Sequence, residues 1–446
     1  MRTRDDLTAT TFDEGERAVA SADPAPIVHW VHPEVRITPV PERRAVLGRD
    51  QTCDVVLPGI RVSRQHAELC REGKRLVLRD RGSRNGTFVD GERITSVVLG
   101  LGHVLRLGDW IGVVSSIPPA ATLEAAALGG GLLAGPILAQ ALIPARKAAP
   151  STLPVVIEGE TGTGKERVAR AVHEWSGRQG PFLAVNCGAL PEAMAESELF
   201  GYRRGAFTGA ERANDGCFRA AHGGTLLLDE IIELPPPLQT KLLRVLEEGE
   251  VTPLGEPRPI KVDVRVIAAA QRPLAEMVRQ GRLRADLLAR LDGVTVRLPP
   301  LRERIAEAPA LFFEHLRAAG TKPDAVEPRL VERLCLYPWP LNVREVVLLA
   351  RRLHALHGTE QLTVAALPEA MRTAVPPPRP PMELAPEESP KNENADLDRL
   401  LVALRELEGN LAQAAARAGL SRQRAYRLLQ ANPHIQLDEF RANRRE

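Results

Sequence analysis

Residues 159–166 read GETGTGKE. Three glycines, Gly159, Gly162 and Gly164, let the backbone curl so that N–H groups face phosphate oxygens, and Lys165 reaches the same oxygens as a point charge. Glu160, Thr161, Thr163 and Glu166 complete the loop. Further on, Leu226, Leu227 and Leu228 run into Asp229 and Glu230. An apolar run ending in two acids offers one carboxylate, Asp229, to a metal ion and the other, Glu230, to orient and deprotonate an attacking water. A phosphate loop of this type usually closes on Ser or Thr, which touches magnesium; here Glu166 stands in that place, leaving more of the metal work, through water, to Asp229. The two halves together predict a site for ATP and Mg2+. Between them Gly205, Ala206, Phe207, Thr208, Gly209 and Ala210 spell GAFTGA, small and aromatic residues suited to an exposed, bending loop that touches another protein. The plain alternative is a glycine turn and an unrelated helix cap, and the order of the apolar runs weighs against it.

Three apolar runs must position these groups: residues 155–157, 226–228 and 264–270. Each reads as a buried parallel strand, with the chemistry at its carboxyl end. At 446 residues and roughly 100 to 200 residues per domain, the chain divides into about three domains. The boundaries expected are a flexible tail over 1–26, a β-rich domain over 27–117, a linker or connecting helix over 118–132, an α/β body over 133–299, a helical lid over 300–373, a proline-rich linker over 374–392 and a small helical domain over 393–446. In the last of these, leucines at 397, 400, 401, 404 and 407 fall on one helical face. A second, alanine-rich helix is expected over 411–418, and Ser421 is a natural N-cap for a third over 422–430.

Composition limits what else the chain can be. With 44% hydrophobic and 26% charged residues it is globular, and no apolar stretch reaches the roughly 18 residues of a membrane span. The start of the chain lacks an apolar secretion core, so a cytoplasmic protein without a membrane partner is expected. Cysteines 53, 70, 187, 217 and 335 form no Cys-x-x-Cys pair and read as buried reduced thiols. A net charge of +2 does not by itself announce nucleic-acid binding, so any DNA contact must come from a local basic face.

Several further runs carry a family resemblance: ESELFG at 196–201, YRR at 202–204 before GAFTGA, VNC at 185–187, LPPLRER at 298–304 and YPWPLNVRE at 337–345. Over residues 133–372 the chain resembles the AAA+ domain of bacterial enhancer-binding proteins, the activators of sigma-54 RNA polymerase. The resemblance implies a homo-oligomer, from dimer to hexameric ring, with ATP between subunits. In that ring the GAFTGA loop grips sigma-54 in the polymerase holoenzyme through Phe207 and Thr208. It also implies that Asn186 holds the catalytic Glu230 between nucleotide states, that Arg284 and Arg290 are offered to the neighbouring subunit's γ-phosphate, and that Arg344 senses nucleotide from the lid; Glu166 is usual in the family. Six positions apart on a helix is about 1.7 turns, so the two arginines point in different directions. The chain departs from the family at Ala270-Gln271, where Thr-Asn is usual, at Leu341, where Gly is usual, and at residues 133–136. Gln271 can still hydrogen-bond a phosphate or a water.

Upstream, LGR at 47–49, SRQH at 63–66 and NGT at 85–87 resemble a forkhead-associated (FHA) domain, a reader of phosphothreonine. A phosphate of charge about −1.5 to −2 with three acceptor oxygens suits guanidinium, hydroxyl and amide donors on loops. The resemblance gives Arg49, Ser63 and Arg64 to the phosphate, with Arg84 beside them, and Asn85 to the peptide backbone, while Gly48 and His66 shape the loops. Downstream, the run from Gly409 to Arg427 resembles a Fis-like helix-turn-helix, in which Ser421, Arg422, Gln423, Arg424 and Arg427 begin and face the recognition helix and meet double-stranded enhancer DNA. The fold class expected is multidomain α+β: an all-β FHA sandwich, an AAA+ α/β P-loop domain with a helical lid, and an all-α helix-turn-helix. The function expected is a sigma-54-dependent activator gated by phosphothreonine, on another protein or on a segment of its own, with a serine/threonine kinase as the upstream input. The alternative is a DNA-bound phosphopeptide adaptor or repressor with an impaired ATPase.

Overall fold

The computed structural model describes residues 25–41, 43–117, 126–208, 210–322, 325–376, 379, 393–407, 410–420, 425, 426, 429 and 432. Residues 1–24 of the expected tail, most of the proline-rich linker, Gly209, and the five residues assigned to DNA lie outside them, while Ala25 and Pro26, expected in the tail, open the first strand.

Short β-branched and leucine-rich runs separated by glycine turns form a sandwich of two sheets. The strands are β1 Ala25–His32, β2 Arg36–Pro39, β3 Arg44–Gly48, β4 Val55–Val56, β5 Ala67–Glu72, β6 Arg75–Asp80, β7 Thr87–Val89, β8 Glu92–Ile94, β9 Ser96–Leu99, β10 Val104–Leu107 and β11 Trp110–Ile117. One sheet has the order β2-β1-β11-β10-β7-β8 and the other β4-β3-β5-β6-β9. Trp30 and Trp110 meet edge to face at 5.7 Å in the core, and both indoles, which need an acceptor when buried, find one: Thr38 Oγ1 at 2.8 Å and the Pro58 carbonyl at 2.7 Å.

The segment before the α/β body is not the linker or helix expected over 118–132. Within its described part, β12 Ala126–Ala127 pairs antiparallel with β13 Leu133–Ala134. Gly129, Gly130 and Gly131 lie between them with φ of 101°, 57° and 66°, which only glycine adopts three times in succession without strain. Leu132 and Ala134 are thereby buried in the core of the body that follows.

That body is a five-stranded parallel sheet, β15-β16-β19-β14-β20, comprising β14 Val155–Glu158, β15 Phe182–Asn186, β16 Thr225–Asp229, β19 Arg265–Ala270 and β20 Val294–Arg297, with a small hairpin of β17 Glu250–Val251 and β18 Ile260–Lys261. Every residue of β14 and β19 is buried, as a central parallel strand covered on both faces requires. Helices α1 Pro136–Ala141, α2 Ile143–Ala148, α3 Lys165–Ser176, α4 Glu192–Phe200, α5 Gly216–Ala220, α6 Pro236–Glu248, α7 Leu274–Arg279 and α8 Ala285–Leu291 accompany it. The lid follows as α9 Glu307–Ala319, α10 Pro328–Leu336 and α11 Asn342–His357, then the short α12 Glu369–Arg372.

Sandwich and lid share one hydrophobic core, which the sequence did not announce. Val31, Val104, Ile111 and Val113 are buried in the same cluster as Phe312, Leu330, Val331 and Leu334. Arg106 and Glu332 close the seam with a bond of 2.8 Å, their side chains 13% and 5% exposed, and the guanidinium lies 3.7 Å from the centre of the Phe88 ring. Within the span read as a solvated linker, Arg379 instead pairs with Asp90 at 2.8 Å and also donates to the Gly102 carbonyl.

His29, on β1 and 3% exposed, has its pKa lowered by burial to about 4. Above its ordinary value near 6.5 it is neutral whether folded or unfolded. Between that value and about 4 the unfolded chain takes up the proton and the native chain does not, so stability falls as pH falls through this window. The loss accumulates to about 3 kcal/mol. Thermal unfolding of His29→Gln, followed from pH 7 to pH 4, is expected to show a shallower decline than the parent; parallel curves refute it.

The C-terminal unit, by itself, pairs α13 Glu393–Glu406 with α14 Leu411–Arg417. Leu400, Ala403 and Leu404 meet Ala414, Ala415 and Ala418. Asn410 caps α14 by accepting the Gln413 N–H at 3.3 Å. Ala425, Tyr426 and Leu429 continue in helical conformation.

Candidate functional site

The carboxyl ends of β14, β15, β16 and β19 gather the groups that could do chemistry. The loop leaving β14 turns through Gly162 and Gly164, with φ of 78° and 103°, into the first turn of α3, so its N–H groups head the helix. Its first N–H, from Gly159, donates to the Ala270 carbonyl at the end of β19 at 3.0 Å, and this anchors the cradle to the sheet. Lys165, largely buried, donates through Nζ to the carbonyls of Gly159 at 2.8 Å and Glu160 at 3.2 Å. Burial pulls its pKa down, against Asp229 and Glu230, which push it up. Burial raises the carboxyl of Asp229, and Lys165 opposes the rise. Glu166 points elsewhere: Arg170 holds it one helical turn on, at 2.8 Å.

Asn186 ends β15 directly beside Asp229 in register. Its side chain does not reach Glu230. Oδ1 accepts the N–H groups of Gly188 at 2.9 Å and Ala189 at 3.1 Å, capping a short 3-10 turn. The partner of Glu230 is Gln271, whose Nε2 donates to Oε1 at 2.8 Å. The reason is geometric: the two bonds to Oδ1 hold the short Asn186 amide against its local backbone, while the longer Gln271 reaches Glu230 with its Nε2 donor from the end of β19. Glu230 itself sits at φ 54° and ψ 47°, a left-handed conformation rare for a residue with a Cβ and concentrated at functional sites. Gly188 leaves room for its carboxylate, for a Cβ there would stand 2.8 Å from Glu230 Oε2.

The lid closes over the loop. Asn342, fully buried, accepts the Leu301 N–H at 2.7 Å and donates to the Thr161 carbonyl at 3.0 Å and to Glu160 at 3.3 Å. Glu160 takes two bonds from Arg302, at 2.8 and 2.6 Å, which lower its pKa. Leu341, where glycine is usual in the resembled family, bends its carbonyl to within 2.1 Å of where a Cβ on Gly162 would stand, so that position must be glycine. Arg344 is exposed and donates its N–H to the Gly162 carbonyl at 3.3 Å.

Arg284 and Arg290 lie on the surface at either end of α8. Arg284 is the N-cap residue and pairs with Asp286 at 3.0 and 2.7 Å; Arg290 donates to the Leu246 carbonyl at 3.0 Å. The GAFTGA loop projects from a base where Tyr202 bridges to Asn214 and Leu254. Its neck is closed by the Gly205 N–H donating to the Ala210 carbonyl at 2.9 Å. Phe207 is 48% exposed and leans on the Tyr202 ring at 5.0 Å; Thr208 is exposed.

On the sandwich, Arg49, Arg64, Arg84 and Asn85 are exposed on neighbouring loops with Ser63 half-buried among them. The Arg49 N–H donates to the Ser63 carbonyl at 3.0 Å, the Arg84 N–H to Ser63 Oγ at 3.0 Å, and Asn85 Nδ2 to the Arg61 carbonyl at 2.7 Å. Gly48 and His66 build the turns: a Cβ on Gly48 would stand 2.1 Å from the Arg64 carbonyl oxygen, and buried His66 accepts the Ser63 N–H at 3.0 Å and bonds the Gly86 carbonyl at 3.2 Å. Three guanidinium groups and a hydroxyl on loops tied together by backbone bonds suit an anion of high charge.

Comparison with known proteins places names beside these parts. A sigma-54 interaction domain matches residues 134–297, an FHA domain 45–108 and an AAA+ ATPase lid domain 302–383. The DNA-binding transcriptional regulator NtrC of Bradyrhizobium sp. (strain RP501 Parasponia) is 49% identical over 219 residues, 48% of this chain and 46% of the regulator. The transcriptional regulatory protein GlrR of Escherichia coli (strain K12) is 41% identical over 302 residues, 66% of each chain. The chain thus spans about half the length of NtrC and about two thirds of GlrR. Among solved structures, NtrX from Brucella abortus in complex with ATP is 29% identical, with 70% of this chain and 68% of that one covered and a TM-score of 0.48.

Proposed function

Because the chain belongs to the family of sigma-54-dependent transcriptional activators and carries its AAA+ ATPase domain behind an FHA domain, we propose that it binds upstream DNA, assembles as a ring, and uses ATP hydrolysis to remodel the closed complex of sigma-54 RNA polymerase in the cytoplasm. A phosphothreonine read at Arg49, Ser63 and Arg64 gates the process. The observation that carries this reading is the convergence at the strand ends of the phosphate loop, Asp229 and a strained Glu230, with the GAFTGA loop projecting from the same body.

In this reading residues 159–166 and Arg344 bind ATP, and Lys165 exchanges its two loop carbonyls for phosphate oxygens. Glu230 takes a proton from the attacking water, and Gln271 holds it in place. Asp229 suits a magnesium ion, since one of its oxygens accepts the Glu230 N–H at 3.1 Å and the other is left for a ligand. Among the described residues no three His, Cys, Asp or Glu side chains gather to hold a metal alone. Among those residues also, no helix is long and apolar enough to cross a membrane.

The bond from Gln271 to Glu230 also favours a second reading, in which the base is held idle and the protein is a DNA-bound phosphopeptide adaptor or repressor. Open-complex formation on a sigma-54 promoter separates the two. The chain with ATP is expected to open the promoter, and Thr208→Ala to fall to background while still hydrolysing ATP within a fewfold of the parent. Opening no greater than in a protein-free control rules out the activator.

A further inference from the structure

The seam between sandwich and lid encloses a cavity of about 1090 Å³. The sandwich contributes His29, His32 and the loop through Ile60 and Arg61, and the lid helix α9 contributes Ala310 and Phe313. One side chain marks it as a place for an occupant. Ile60 is 90% exposed, an isoleucine held in water on the cavity wall.

Arg61 joins this cavity to the phosphate-reading loops. It lines the cavity, its carbonyl accepts Asn85 Nδ2 at 2.7 Å, and Ser63 follows two residues later. A peptide whose phosphate lies on Arg49, Ser63 and Arg64 therefore has neighbouring residues at the cavity mouth. An apolar side chain beside the phosphothreonine would meet Ile60, Ala310 and Phe313, on a wall that also carries Asp109, Glu314 and Arg317. The chain itself has a segment with apolar side chains beside threonine: residues 7–12 read LTATTF, with Thr8, Thr10 and Thr11 between Leu7 and Phe12. Thr11 precedes Ala25, the first residue of β1, by 14 residues, a reach of up to about 50 Å when extended.

We propose that the phosphorylated segment 7–12 of this chain binds across the sandwich loops with Leu7 or Phe12 in the cavity between sandwich and lid. The assignment rests on the phosphothreonine reading above and extends it to a named ligand. It also gives the signal a route. Glu307, on the cavity wall, accepts the Leu138 N–H at 3.3 Å and pairs with fully buried Arg304 at 2.9 Å, and Arg304 donates to the Thr163 carbonyl of the phosphate loop at 3.4 Å.

The test measures binding to the full chain by fluorescence anisotropy. The probes are peptides copying residues 5–14 with phosphate on Thr8, Thr10 or Thr11, their unphosphorylated form, and an unrelated serine-flanked phosphothreonine peptide. One tail phosphopeptide is expected to bind at least tenfold more tightly than the unphosphorylated and the unrelated peptides. Changing its Leu7 and Phe12 to Ser is expected to weaken it about tenfold, the scale of burying one apolar side chain. Ala310→Phe, which fills the cavity from the lid, is expected to weaken the parent phosphopeptide by a similar factor and to leave the serine-flanked version unchanged. If the unrelated phosphopeptide binds in a phosphate-dependent way and the tail peptides bind no better, the proposal falls and the phosphothreonine reading stands. Losses from the peptide and protein changes that simply add also overturn the proposal. Indifference to phosphate in every peptide overturns both.

Discussion

Substituting whichever of Arg284 and Arg290 serves as the finger by Ala lowers ATP turnover by about 10³ to 10⁵, with the affinity of a single subunit for ATP changed little. Both guanidinium groups are exposed, and their hydrogen bonds run to Asp286 and to the Leu246 carbonyl, so neither serves the phosphate loop of its own chain. A planar, permanently charged fork held at the surface has its use in spreading the transition-state charge of a neighbour. The pair does not share one job, because Arg284 caps α8 and Arg290 lies in its last turn. Mixing provides the check. An arginine variant combined with Lys165→Ala regains part of the lost turnover, since some seams then join an intact phosphate loop to an intact finger. Unchanged turnover in both single variants, or no recovery in the mixture, removes hydrolysis between subunits.

Glu230→Gln lowers kcat for ATP by about 10² to 10⁴, the usual worth of a general base, while leaving the ATP dissociation constant within about twofold. The side chain keeps its shape and its place beside Gln271 and loses only the capacity to take a proton. Gln271→Ala is expected to cost kcat less than about tenfold, because it removes one hydrogen bond from a group that stays. The strained backbone at Glu230, φ 54°, is paid for by the surrounding strands and persists in both variants. Single-turnover hydrolysis with ATP binding measured in parallel decides the matter. A Glu230→Gln chain retaining more than a tenth of the parent rate sinks the assignment.

How much of this was legible before the chain folded follows from how local each signal is. The phosphate loop, its strand and its helix are contiguous, so the glycines at 162 and 164 state their own geometry, and the apolar runs at 155–157 and 226–228 lie in the sheet where their lengths put them. The sandwich was legible for the same reason, from turn residues between short apolar runs. What escaped involves partners far apart in sequence. Asn186 and Gln271 are both amides at strand ends, and only the folded distances decide which one reaches Glu230. The hairpin over 126–134 was hidden in a run of small residues whose composition suits a linker as well as a turn.

The chain of residues alone determined the kinds of module present, because each is defined by a local run whose chemistry is complete within a few positions: phosphate loop, acid pair, GAFTGA, and the Gly-Arg, Ser-Arg and Asn-Gly loops. Tertiary structure alone decided how the modules meet. Val104, Ile111 and Val113 look like ordinary sandwich residues, and Leu330 and Leu334 like an ordinary helix face, yet they form one core. Arg106 found Glu332 across 226 positions. Apolar burial is non-directional, so a buried face does not say in advance what will cover it.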